Sequence, residues 1–224
     1  VRAFYLTITA ILAFDGALLA FLAWAYHAPR FAAHRISAVA SMRIGARERL
    51  VNIAVSAVLS LVAVFGMTYL LYDATFHMRP TPLWRIALEV LAVLLVYDFA
   101  YYGLHRAMHH KKLMRFVHVV HHRVRNPTAM ESFYLHPAEL FAGLALLMAC
   151  TWLVGPVHGH AFAAVFLLHS TLNIVVHSGL LSGHWLFAPI DHLTRKHHVH
   201  HLDDAEKNYA SLTPLPDMLF GTYG

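Results

Sequence analysis

The sequence predicts an all-α, polytopic membrane protein with about four to five transmembrane helices under a histidine-rich helical cap. Three observations predict it. The 224 residues are 58% hydrophobic and only 13% charged, about half the charged share of an ordinary soluble domain. Mean hydropathy is +0.53, and several apolar runs reach the roughly 20 residues that a bilayer crossing needs. The chain also holds 20 histidines, and they cluster outside those runs.

The first run, Ala3 to Tyr26, is broken only by Asp15-Gly16. It is longer than the apolar core of a signal peptide and lacks a strongly basic start, so a membrane helix is expected. The chain opens on Val1 rather than Met, so its true start is expected upstream. Pro29 to Arg49 is a basic loop, with Arg30, Arg35, Arg43, Arg47 and Arg49 against the lone acid Glu48. Such a loop belongs on the cytoplasmic side. Leu50 to Tyr72 reads as a second span, and Pro80 and Pro82 close the turn that follows it. Leu83 to about Tyr102 is a third. A second basic loop, His105 to Pro137, carries Arg106, Lys111, Lys112, Arg115, Arg123 and Arg125. Ala138–Val154 and His160 to about Leu180 form a hydrophobic pair turned by Gly155-Pro156, and a polar tail follows.

Counting spans from the first basic loop places the second loop and the tail on that same cytoplasmic side. Every histidine cluster then shares one face of an integral, multi-pass membrane protein. The +5 net charge therefore reports topology, and no nucleic-acid partner is expected. The single cysteine, Cys150, sits among Leu146, Leu147, Met148 and Ala149. It excludes an internal disulfide and a thiolate-rich metal site, and it reads as a small packed residue.

The clusters have ligand spacing. His105 and His109 are four apart; His118, His121 and His122 fall at i, i+3, i+4; and His197, His200 and His201 repeat that pattern. On a helix each set shares a face, and neutral imidazole is the commonest ligand for transition metals. In the span ending near Leu180, His169, Asn173 and His177 are successively four apart, with His177 nearest the clusters. Asn173 is expected to coordinate, to hold a metal-bound water, or to bond another helix. Asp98, two turns before His105, is placed to fix a ligand tautomer or to pair with Arg106. His136-Pro137, with Glu139, closes the basic loop and reads as support for a ligand or as helix-start chemistry, and sequence leaves open whether His136 or His192 contacts metal. His27, His34, His77, His158, His160 and His184 read as ordinary interfacial histidines.

Nine histidines exceed what one ion coordinates, so two ions are expected. No HExxH supports a zinc protease. Spacing alone leaves iron, copper, zinc and nickel open. A nitrogen-rich site at the ends of lipid-embedded helices is well placed to act on an acyl chain or sterol, whose C–H bonds yield to activated oxygen. A metal-binding or transport protein is the rival, but Asp15 is the only obvious acid inside a span.

The chain resembles the fatty acid hydroxylase superfamily, which includes sterol desaturases and related membrane di-iron oxygenases. The boxes HxxxH, HxxHH and HxxHH correspond to His105–His109, His118–His121–His122 and His197–His200–His201. Asp98-Phe99-Ala100-Tyr101-Tyr102, His136-Pro137-Ala138-Glu139, Asn208-Tyr209 and Leu219-Phe220-Gly221-Thr222-Tyr223 also look like the family's surroundings. The resemblance implies residues 83–224 as a di-iron domain integral with N-terminal membrane helices in 1–82. It further implies two iron ions held by the nine histidines His105, His109, His118, His121, His122, His177, His197, His200 and His201. Asp98 and Asn173 become supporting catalytic candidates. O2 would be the co-substrate and a lipid the substrate, hydroxylated or, alternatively, desaturated. Electrons would come from an external cytochrome b5-like or ferredoxin-like donor with its reductase, docking on the basic surface. Two departures stand out. Fatty acid 2-hydroxylase-like members carry a histidine pair where this chain has Asn173 and His177, and His110 and His198 blur the box register.

Overall fold

The computed structural model describes residues 1–37, 44–202 and 206–224; Arg43 of the first basic loop lies outside them. The chain opens with α1 (Arg2–His27) and α2 (Ala46–Leu70), then, after the single turn α3 (Tyr72–Thr75) and strand β1 (Phe76–His77), α4 (Leu83–Met108). Short helical pieces α5 (Lys111–Leu113), a wide π-type turn (Met114–His118) and α6 (Val119–His122) carry the second histidine box. Then come α7 (Pro137–Val154), β2 (Val157–His158), α8 (Gly159–Val176), α9 (Ala188–His201) and α10 (Leu215–Leu219).

The fold is all-α, and α1, α2, α7 and α8 are long and apolar enough to cross a membrane. α4, also expected as a span, stands outside that set and carries Arg85, Glu89 and Asp98. It nonetheless turns Leu88, Leu91 and Leu95 outward. α2 does the same with Val51, Val55, Val58 and Val62. Ladders of exposed valine and leucine suit lipid rather than water.

α8 is the most buried of the four spans and packs against α1, α4 and α9, while α7 packs against α2 and α4. Small residues at its start permit this approach. A Cβ on Gly159 would lie 2.6 Å from Met78 Sδ. Asp15, the mid-span acid of α1, is buried and accepts the Thr171 hydroxyl of α8 at 2.9 Å. It joins two helices and traces no path across the membrane.

One end of the bundle gathers the C-termini of α1, α4 and α8 with the N-termini of α2 and α7. Ile36 N donates to Gly179 O at 2.9 Å and Leu181 N to His34 O at 2.8 Å. Asn52 of α2 exchanges two 3.2 Å hydrogen bonds with the Leu135 backbone. The far end is closed by β1 pairing with β2 and by Glu89 accepting His158 N at 2.8 Å. All histidine boxes therefore sit at one end, as the count of spans requires.

Some boundaries differ from expectation. α2 begins a turn early because Arg49 pairs with buried Glu131, whose other oxygen closes a capping box with Thr128. α4 continues through the first box to Met108, so His105 is held on a long helix rather than in a loop. α8 stops at Val176, four residues short of the expected end. Gly179 has φ +66°, and a Cβ there would lie 2.8 Å from Pro127 O, so the backbone turns where only glycine fits.

Candidate metal centre

The nine histidines meet at the gathered end as two groups. His105, His109, His118, His122 and His200 form one, and His121, His177, His197 and His201 the other. Within each group the available ring nitrogens all lie within 4.8 Å of one another.

The HxxHH boxes do not act as single faces. Each gives its i, i+4 pair to one group and its i+3 residue to the other. His118 and His122 join the first group while His121 joins the second; His197 and His201 join the second while His200 joins the first. Helix geometry explains the split. At 100° per residue, i+4 turns about 40° past its start and i+3 falls about 60° short, so their side chains diverge by about 100°. The two boxes thereby interlock, each supplying both groups. The register ambiguity is resolved as well. His109 and His197 point inward, whereas His110 caps α5 and is exposed, and His198 belongs to neither group.

Six of the nine rings are oriented through Nδ1. His105 donates to Tyr209 O at 2.7 Å, His121 to Tyr134 O at 3.2 Å and His177 to Asn173 O at 2.6 Å. His200 donates to Lys207 O at 2.6 Å and His201 to Val124 O at 3.0 Å, while His118 meets Glu139 Oε1 at 3.0 Å. A carbonyl can only accept, so the proton of each carbonyl-bound ring is on Nδ1 and its Nε2 is a bare lone pair. The Nε2 atoms of each group converge. His177 and His121 Nε2 lie 3.2 Å apart and His105 and His118 Nε2 3.1 Å apart. His118 Nε2 is also 3.1 Å from His109 Nε2 and from His122 Nε2. His109 meets His200 at 3.2 Å, His197 meets His177 at 2.8 Å, and His201 meets His197 at 3.0 Å.

His121 and His177, both proton-bearing on Nδ1, cannot hydrogen-bond to each other while neutral. Neither is readily charged: burial holds His177 down to about 3 and lowers His121, with a neighbouring imidazole adding to each effect. Burial and the other imidazoles push His197, His200 and His201 well below the ordinary histidine range. Clustered neutral lone pairs call for a cation. Two donors about 2.1 Å from one ion, at right angles to each other, lie about 3.0 Å apart. The nitrogen separations fit that edge, so the donor set suits two first-row transition metal ions.

Asp98 does not reach an imidazole. It shares a face with His105, but two turns separate them by about 10 Å. Its carboxylate instead accepts Leu212 N at 3.0 Å, Thr213 N at 3.3 Å and the Thr213 hydroxyl at 2.5 Å. It thus anchors the C-terminal segment whose Tyr209 carbonyl orients His105. Arg106, its other expected partner, bonds the Tyr102 hydroxyl. Asn173 belongs to neither group; its carbonyl serves His177, and its side chain lines the adjoining cavity. His136 caps α7 through Nδ1, and His192 stacks on Tyr223.

The remaining supports have no signature in the sequence. Lys196 and Asp217 form a buried ion pair, 3% and 0% exposed at their side chains, with Nζ to Oδ2 at 2.5 Å. Asp217 also accepts Tyr209 N at 2.8 Å, Ala210 N at 3.1 Å and the Thr222 hydroxyl at 2.9 Å. A cavity of about 150 Å³ opens beside the histidines and continues between α2, α4, α7 and α8.

The fatty acid hydroxylase family model matches residues 90–222. The chain is 36% identical over 152 residues to very-long-chain aldehyde decarbonylase GL1-11 of Oryza sativa subsp. indica, covering 64% of this chain and 55% of that protein. It is 33% identical over 152 residues to methylsterol monooxygenase 2-2 of Arabidopsis thaliana, with the same coverage. Against methylsterol monooxygenase 1 of Rattus norvegicus it is 30% identical over 161 residues, 67% of this chain and 52% of that protein. The chain spans about half the length of these curated relatives. No solved structure matches it. Three boxes at family spacing, two interlocked histidine groups and a family model covering more than half the chain agree: this integral membrane protein belongs to the fatty acid hydroxylase family.

Proposed function

We infer that the chain is a membrane di-iron oxygenase that uses O2 and externally supplied electrons to hydroxylate a lipid, a fatty acyl chain, sterol or similar molecule. The observation that carries this reading is the pair of histidine groups whose Nε2 lone pairs converge at the mouth of a cavity between apolar helices. The five-histidine group would hold one iron and the four-histidine group the other. When bound, iron supplies the activation of O2 that an unreactive C–H bond requires.

The chain's own residues account for the rest. Backbone carbonyls of Tyr209, Lys207, Tyr134, Val124 and Asn173 fix five ring orientations and leave Nε2 free. Glu139 orients the His118 ring through Nδ1. Leu135, Leu140, Leu144, Leu172 and Val176 give the cavity an apolar wall that excludes water and accepts a lipid. Residues 83–224 are proposed as the catalytic unit and 1–82 as accompanying membrane helices. The basic loops support a cytoplasmic side for the histidines. There Lys111, Lys112 and Arg115 are exposed and form a docking surface for an acidic cytochrome b5-like or ferredoxin-like donor. Charge reversal at Lys111 and Lys112 should slow reduction by such a donor; an unchanged rate would remove this surface from the account.

Desaturation is the alternative outcome from the same ligands and a slightly shifted substrate. The likeness to an aldehyde decarbonylase adds aldehydes to the lipids worth assaying. The test is oxygen-dependent, electron-dependent conversion of supplied lipids by the purified chain in mild detergent or nanodiscs. Conversion should require iron and disappear in His118→Ala. Iron-independent conversion, or metal transport across proteoliposomes without lipid oxidation, would overturn the reading.

A further inference from the structure

From the histidines downward, the cavity is lined by a ladder of polar residues whose lower rungs the proposed reaction does not use. On α4, His105, Tyr101 and Tyr97 are successively four apart; on α8, so are His177, Asn173 and His169. Each pair of ends is two turns, about 12 Å, apart. The lowest rung is closed, with the Tyr97 and His169 ring centroids 5.0 Å apart and their planes at 79°. Ser60 of α2 lines the same cavity. It lies eight residues below Asn52, which bonds Leu135 at the level of the histidines, so it reaches the same depth.

Among the described residues, Tyr97 is 0% exposed and its hydroxyl makes no hydrogen bond. His169 and Ser60 line the cavity half-buried beside it. A polar group buried among membrane helices is costly and marks a ligand. The edge-to-face contact with Tyr97 leaves both the phenol oxygen and the imidazole nitrogens available to a third group. Of the charged side chains lining the cavity, Lys196 is paired with Asp217 and Glu139 meets His118 through Oε1, with its Oε2 unpartnered among the described residues; both stand at the cavity's upper end. A charged ligand group would find no counter-ion at the depth of Tyr97.

We propose that Tyr97, His169 and Ser60 bind a neutral hydrogen-bonding group, a hydroxyl or carbonyl, carried by the substrate about 12 Å from the carbon presented to the histidines. The substrate class is then an oxygenated lipid anchored at its polar end, not a plain hydrocarbon tail. Recognition of this kind discriminates strongly, because the site's polar groups stay unpaired when an analogue lacks its partner. The statement that the far end is the oxidised end rests on the proposed oxygenase activity; the binding itself does not.

The test uses the full chain in detergent, with dodecanol and dodecane as matched probes, each corrected for partition into the micelle. Equilibrium binding should favour dodecanol by about tenfold, the scale of one or two net hydrogen bonds. Tyr97→Phe keeps the ring contact and His169→Leu keeps the bulk. Each should reduce the preference to about twofold or less with dodecane affinity unchanged. Equal affinity of the native chain for both probes, as expected if the ladder only holds water, would overturn the proposal. So would a preference surviving both variants, or loss of both probes in both variants, which marks a packing role. Metal content of the same samples separates the two readings. A dodecanol preference without metal sinks the oxygenase and leaves this site standing. A metal-loaded, lipid-oxidising chain without the preference sinks this site alone.

Discussion

Replacing Asp217 by alanine should damage the metal centre from a position that no ligand occupies. Asp217 is fully buried and accepts from Lys196 Nζ, Tyr209 N, Ala210 N and the Thr222 hydroxyl. Its removal leaves the buried ammonium with the Ala210 carbonyl but no counter-charge, and strands two buried amides. Breaking one side of a buried ion pair costs about 3–5 kcal/mol, a large share of the roughly 5–15 kcal/mol that stabilises a typical protein. Lys196 can shed part of this by releasing its proton, since burial already lowers its pKa. Lys196→Met should therefore cost less, because Asp217 keeps three other donors. The loosened Tyr209 carbonyl no longer fixes His105, and loss of such an orienting partner typically weakens metal binding about 10–100-fold. Thermal unfolding of the full chain in detergent, with elemental analysis of the same samples, reads both effects. The account expects a lower midpoint and depleted metal in Asp217→Ala, and a milder change in Lys196→Met. An unaltered midpoint and metal content in Asp217→Ala, or equal effects of the two changes, would refute the reasoning.

The interlocked boxes predict that His200→Ala and His118→Ala weaken the same ion although they lie in different boxes. Cobalt-substituted protein should show one altered visible spectrum for both and a different one for His201→Ala; grouping by box instead would count against the split. Glu131→Ala should lower the unfolding midpoint by about 3–5 kcal/mol worth of stability, since it leaves Arg49 unpaired and opens the capping box with Thr128; wild-type stability would show that this pair does not secure the turn behind Tyr134. Metal-free protein should lose stability with acid. The folded pKa of His118 is about 4, below the ordinary value of about 6.5, so the unfolded chain binds more protons between those values. The stabilisation is complete above about pH 6.5 and falls away towards pH 4; a midpoint flat across that window, in chelator-treated samples, would contradict it.

Much of the candidate site could be read from spacing, because ligand-type patterns repeat along the chain. The nine histidines singled out by spacing and resemblance are the nine that the fold gathers into two groups, and counting apolar runs brought them to one end. Their division was harder. The i, i+3, i+4 pattern reads as one face, and only the 100° divergence between i+3 and i+4, together with a facing helix, reveals that each box serves both groups. The orienting acceptors could not be read at all: the carbonyls of Tyr209, Lys207, Tyr134 and Val124 carry no residue-type signal. Asp98 shows the complementary difficulty. Helical phase correctly put it beneath His105, but phase says nothing of the two-turn distance or of the 212–213 segment that occupies its oxygens. The buried partners Asp217 and Glu131 looked like ordinary polar residues, since nothing local distinguishes them from solvent-exposed acids.

Metal content per chain tests the central claim most directly. The full chain should be purified anaerobically in mild detergent and its metals measured by elemental analysis. The account predicts about two irons per chain, falling to about one when His121→Ala opens the four-histidine group and likewise when His109→Ala opens the five-histidine group. One or no tightly held metal in the native chain, indifferent to both substitutions, would contradict the di-iron centre and the function built on it.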